Sequence, residues 1–185
     1  MTEKQATYYE LLILRCRRGR RDALEELVRR WEMRLFYYIR RLVEDEQDAW
    51  QVLQDTWVSV LGGIGKLRQP RTLPAWLYRI ARNTAISHRR RNSIRQTLPL
   101  QDAAPDGIEE SADGPLFEDA EQVHYGLARI SLHHREVLTL FFLQDLSTEE
   151  IADVLEIPRG TVRSRLYHAK RALKAILERE ERKYE

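Results

Sequence analysis

The chain has 185 residues, a formal net charge of only +2 and 43% hydrophobic residues, enough apolar side chain for one or two small cores. The longest obvious apolar run, Leu138 to Leu143, is far too short to span a membrane, and the polar N-terminus has no signal-peptide segment. The single cysteine, Cys16, excludes an internal disulfide and has no metal-ligand partner at useful spacing, so the expected setting is the cytoplasm.

The periodicity predicts helices throughout and no strand. Tyr8 to Arg18 reads as a short helix with Leu11, Leu12 and Leu14 apolar, broken at Gly19 to Arg21. Asp22 with Glu25 is an N-terminal capping signal. Ala23, Leu24, Leu27, Val28, Trp31, Leu35, Tyr38 and Leu42 then follow helical spacing. A further helix is expected from about Asp45 to Leu61, with Ala49, Val52, Leu53, Thr56, Trp57 and Val60 on its apolar side. Gly62, Gly63 and Gly65 should stop it, and a polar loop should run to Thr72.

Pro74 suits the first turn of the next helix, PAWLYRIARNTAISHRRR. Trp76, Leu77, Ile80, Ala81 and Ala85 are its buried candidates. Tyr78, Arg79, Arg82, Asn83, Arg89 and Arg90 are candidate nucleic-acid contacts, with Tyr78 and Asn83 expected to be exposed. An aromatic face beside cations can stack an unpaired base, and an asparagine can read a base edge by paired hydrogen bonds.

Gln96 onward carries Pro99, Pro105, Pro115, Gly107 and Gly114, and no Lys or Arg appears before Arg129. Asp102, Asp106, Glu109, Glu110, Asp113, Glu118, Asp119 and Glu121 accumulate there. That composition predicts a flexible acidic linker over 96–122, either a mere tether or a segment with a path of its own. Ile130 to Leu143 should be helical again, with Ser131 as N-cap. Ser147 with Glu150 makes a capping box ahead of the apolar Ile151, Ala152, Val154 and Leu155. The turn Glu156-Ile157-Pro158-Arg159-Gly160 breaks that helix and opens the last one. There Val162, Leu166, Ala169 and Leu173 form a buried stripe. Ser164, Tyr167, His168 and Arg171 project the other way, flanked by Arg163, Arg165 and Lys170. Taken alone, that face could be a solvated basic surface. A capped helix, a turn and a second helix together favour a helix-turn-helix lying in a DNA major groove. The tail from Ile176 onward should be a fraying charged helix end.

Two stretches carry a family resemblance. Leu146-Ser147-Thr148-Glu149-Glu150-Ile151-Ala152 followed by Gly160-Thr161-Val162-Arg163-Ser164-Arg165-Leu166 resembles the C-terminal helix-turn-helix of bacterial RNA polymerase sigma factors, in their extracytoplasmic-function (ECF) group. Pro74 to Arg91 resembles that group's segment for reading and opening the promoter's minus-ten element. The resemblance implies an all-α protein of two small helical domains: region 2 over 1–95, a linker over 96–122, and a region 4 helix-turn-helix over 123–185.

It further implies that Arg163, Ser164, Arg165, Tyr167, His168, Lys170 and Arg171 read the minus-thirty-five element, while Tyr78, Arg79, Arg82, Asn83, Arg89 and Arg90 serve the minus-ten element. The helix from Glu46 matches the family's clamp-binding segment, which assigns Asp48, Gln51, Gln54, Asp55 and Trp57 to core polymerase. This chain departs from the family at Ala49-Trp50-Gln51, where Ala-Glu-Asp is common, at Ser87, where Asp is frequent, and at His168, where Arg is usual. The implied partners are core RNA polymerase and promoter DNA. An anti-sigma factor is common in the family, though no residue identifies one. No cofactor, metal, membrane association or catalytic set is expected; the tandem His133-His134 points to different helix faces. The alternative is a stand-alone helix-turn-helix regulator.

Overall fold

The computed structural model describes residues 3–67, 69–95 and 119–184. Among them are eight α-helices and no strand: α1 (Glu3–Arg17), α2 (Arg21–Arg40), α3 (Glu46–Gly63), α4 (Leu73–Arg95), α5 (Asp119–Ala128), α6 (Leu132–Leu138), α7 (Thr148–Leu155) and α8 (Arg159–Tyr184). Most of the expected linker, residues 96–118, lies outside the described residues.

α1 starts earlier than its leucines suggest. Ala6, Tyr9, Leu12, Ile13 and Cys16 are its buried side, at near 3.6-residue spacing, and they include only one of the three expected leucines. Leu11 and Leu14 face outward at 58% and 44% exposure. The helix ends on Gly19, whose φ of +71° favours a residue without a Cβ. Arg20 N–H donates to the Arg15 carbonyl and Gly19 N–H to that of Cys16, the paired bonds of a Schellman end. The capping signal expected at Asp22 is not used, because α2 begins at Arg21 without a side-chain cap. The Asp22 carboxylate instead accepts from Arg20 at 3.1 Å and Arg15 at 2.6 Å, and those hydrogen bonds hold it well below the usual carboxylate range.

Asp45 caps α3 by accepting from the Gln47 and Asp48 N–H groups at 2.6 and 3.1 Å. Short 3₁₀ turns at Ile64–Lys66 and Pro70–Thr72 replace the expected polar loop. Ser147 and Glu150 form the predicted capping box, with Ser147 Oγ accepting from Glu150 N–H at 3.2 Å and Glu150 Oε2 accepting from Ser147 N–H at 2.9 Å.

Two elements differ from expectation nearby. The single helix expected over 130–143 is α6 followed by a π-helical turn, Thr139–Leu143, and the Ser131 hydroxyl makes no cap bond. α5 occupies a stretch whose start was expected to be linker. Its Gly126 lets it lie close on α8, since a Cβ there would fall 2.5 Å from Leu173 Cδ1 and 3.2 Å from Leu177 Cδ2.

α2, α3 and α4 pack together with α1 laid across α2, while α5, α6 and α7 pack on α8. α4 is shared: it packs on α3 on one side and on α7 on the other. The two halves therefore join into one core. At its centre Tyr78 meets Tyr38 and Trp31 edge-on, with centroids 5.3 and 6.0 Å apart.

Candidate nucleic-acid interface

The helix-turn-helix is α7, a turn and α8. Glu156 closes α7 in the left-handed region (φ +55°), and Ile157 N–H returns to the Ala152 carbonyl at 3.2 Å. That reversal sets α8 against α7, and an ion pair from Arg159 to Glu149 at 2.6 Å ties their first turns together. Backbone and Thr148 hydrogen bonds, with Arg159 and Arg163 nearby, lower the Glu149 pKa.

Val162, Leu166 and Ala169 point into the core, as the stripe predicted. Arg163, Ser164, Tyr167, His168, Lys170 and Arg171 are all exposed, while Arg165 is half-buried at the edge. Tyr167 stands 58% exposed, with the Arg171 guanidinium 5.7 Å from its ring centroid and His168 edge-on at 5.3 Å. Lys170 leans over Phe142 at 5.1 Å. The result is one face of four cations, an imidazole, a phenol and a hydroxyl, groups that can hydrogen-bond base edges and phosphates.

α4 presents a different arrangement. Arg79, Asn83, Ile86, Ser87 and Arg90 are exposed at spacings that put them on one helix face, with Arg89 beside them. Tyr78 is not on that face. The expectation of an exposed phenol is corrected: Tyr78 is 1% exposed, and its hydroxyl donates to Gln144 Oε1 in the other half. One residue further round the helix than Arg79 is enough to turn it inward, against Trp31 and Tyr38, and burial raises its pKa. Arg82 is likewise drawn aside, its Nε donating to Glu136 Oε1 of α6 at 2.9 Å. Trp76 is half-buried, its indole lying over Gly63 at 3.0 Å from where a Cβ would be.

The α3 residues divide the same way. Gln51 and Gln54 are exposed. Asp48 is occupied within the fold, with Oδ1 3.1 Å from buried His88 Nε2 and Oδ2 accepting from Asn92 at 3.2 Å. Asp55 lies 3.6 Å from Arg91. Trp57 is in the core at 9% exposure, because it shares the face of Leu53 and Val60 rather than that of Gln54. Trp50, at the departure from the family pattern, stacks on Phe36 with centroids 4.1 Å apart and stays 39% exposed.

Sequence reasoning missed Glu136 and Gln144. The only signal for Glu136 was a carboxylate at a position the helical period places inward, between Leu132 and Leu140. Among the described residues no group of three or more His, Cys, Asp or Glu could hold a metal, and no helix is long and apolar enough to cross a membrane.

Comparison with known proteins gives two family matches in chain order: sigma-70 region 2 over residues 27–94 and sigma-70 region 4 over residues 121–173. The RNA polymerase sigma-H factor of Pseudomonas aeruginosa is 33% identical over 178 residues, covering 90% of this chain and 92% of that protein. The ECF RNA polymerase sigma factor SigL of Mycobacterium tuberculosis is 34% identical over 154 residues, covering 78% and 82%. Among solved structures, CnrH in complex with the cytosolic domain of CnrY superposes with a TM-score of 0.66 at 25% identity, covering 91% of this chain and 96% of that one.

Proposed function

We infer the function from membership: this chain belongs to the ECF group of the sigma-70 family, so it binds core RNA polymerase and directs it to promoters. It acts by binding, with no chemical step of its own, and it works in the cytoplasm beside its polymerase. The domain over 1–95 serves as region 2 and that over 123–185 as region 4, joined by the acidic segment 96–122.

The outward face of α8 is the observation that carries the residue-level reading. Arg163, Ser164, Arg165, Tyr167, His168, Lys170 and Arg171 read the minus-thirty-five element, with arginine forks for guanine edges and the remaining cations and hydroxyl for phosphates. The exposed face of α4 supports a minus-ten role for Arg79, Asn83, Arg89 and Arg90. Gln51 and Gln54, next to the Phe36–Trp50 stack, support α3 as the polymerase-docking face. An anti-sigma factor is the expected regulator.

Co-elution of the purified chain with core RNA polymerase tests the reading. A stoichiometric complex that initiates from a dedicated promoter supports it. Tight binding to duplex DNA without polymerase, as a dimer on paired half-sites, would instead make the chain a stand-alone regulator.

A further inference from the structure

The buried apolar side of α4 stops at Ala85, yet the helix runs on to Arg95. Over residues 86–93 the one buried side chain is His88, at 5% exposure, while Ile86 stands 41% exposed. Arg89, Arg90 and Arg91 follow in series, all exposed. Hydrocarbon burial therefore contributes little to holding these residues on the fold.

Two carboxylates of α3 take its place. Asp48 Oδ1 lies 3.1 Å from His88 Nε2, and Asp48 Oδ2 accepts from Asn92 Nδ2 at 3.2 Å. The first contact places the imidazole proton on Nε2, so His88 and Asn92, one turn apart on α4, donate to one carboxylate. Their own 3.0 Å approach comes from sharing it. Further along α3, Asp55 lies 3.6 Å from Arg91. That exposed pair is worth little alone. His88 is the stronger tie, because removing its acceptor would leave a buried donor unsatisfied.

We propose that Asp48, acting through His88 and Asn92, is a positioning residue that holds the basic end of α4 helical and in register on α3. Arg89 and Arg90 then meet phosphates without first having to be ordered, which spares part of the cost of binding. The inference rests on the reading of α4 as a DNA-binding face. It also gives Asp48 a duty different from that of exposed Gln51 and Gln54: its carboxylate serves the DNA-binding helix and not the polymerase.

The test uses the full chain and its holoenzyme with core RNA polymerase. His88→Leu removes the donor, while His88→Gln keeps an amide N–H near the place of Nε2. The DNA probe is a promoter fragment selected from host DNA by the parent holoenzyme. His88→Leu and Asp48→Ala should speed amide hydrogen exchange over 86–93 several-fold while α1 to α3 stay protected. Both should co-elute with core RNA polymerase like the parent, and both holoenzymes should bind the fragment several-fold more weakly. His88→Gln should recover most of that loss. The double variant His88→Leu with Asp48→Ala should lose little beyond either change alone.

Unchanged exchange over 86–93 in both single variants would overturn the positioning role. So would a His88→Gln chain no better than His88→Leu, since the N–H would then not be what matters, and so would loss of protection throughout α1 to α3. Failure of Asp48→Ala to co-elute would return that carboxylate to polymerase contact and overturn it as well. The underlying reading fails separately: if Arg89→Ala with Arg90→Ala leaves promoter affinity intact while His88→Leu speeds exchange over 86–93, the hold on α4 stands and the DNA role of that end falls.

Discussion

α8 and α4 carry the same kind of side chains, cations with aromatic neighbours, yet the fold treats them oppositely. α8 buries a narrow stripe, Val162, Leu166 and Ala169, and leaves its basic outward face open. α4 is packed on two sides, by α3 and by α7, and part of its basic and aromatic content is spent on the seam between halves. A helix whose packing partners all lie in one half, as α5, α6 and α7 do for α8, keeps a broad outward face. One wedged between two halves has less of its surface left over.

The largest effect that would break this contrast is at Glu136. Removing one partner of a buried ion pair costs about 3–5 kcal/mol, and the free chain can avoid that cost by letting Arg82 return to water. Urea titration of Glu136→Ala should therefore resolve two transitions where the parent shows one. A single, merely shifted transition would show that the halves form one inseparable core. Leu166→Ala removes the foundation of the open face: truncating a buried leucine should cost about 2–5 kcal/mol, read as earlier unfolding of the C-terminal half.

Substitutions on the faces themselves sharpen the comparison. Arg163→Ala should cost about 1–3 kcal/mol at one promoter base position, measured by binding across a set of base-substituted promoters. Equal weakening on every sequence would mean that Arg163 only holds phosphate. Asn83→Ala should leave polymerase binding unchanged and reduce permanganate reactivity of the melted minus-ten region; an unaltered footprint would exclude Asn83 from base reading. The smallest expected effect is that of Ser147→Ala, about 1 kcal/mol from the lost helix cap, read as a lowered midpoint for the helix-turn-helix.

The same contrast explains what could be read from the sequence. α8 has regular three- and four-residue apolar spacing, so its buried stripe and outward face follow directly from the helical period. The capping box at Ser147 and the Asp45 start were equally local signals, decided by side chains within one turn of the backbone they serve. α4 buries Leu73, Ala75, Leu77, Tyr78, Ala81, Ala85 and His88, more than one stripe, and no helical wheel says which of two partners covers which side. Tyr78 was therefore assigned to the wrong face. At Asp22 the local capping pattern lost to arginines: Arg20 two residues away and Arg15 from the preceding helix. Glu136 was invisible for a related reason, since its partner lies 54 positions earlier in the chain.

The central claim is that this chain engages promoters together with core RNA polymerase. The most direct measurement is co-elution of the purified chain with core RNA polymerase, followed by transcription from a dedicated promoter. The account predicts a stoichiometric complex that initiates there. Tight binding of duplex DNA by the chain alone, with no polymerase complex, would contradict it.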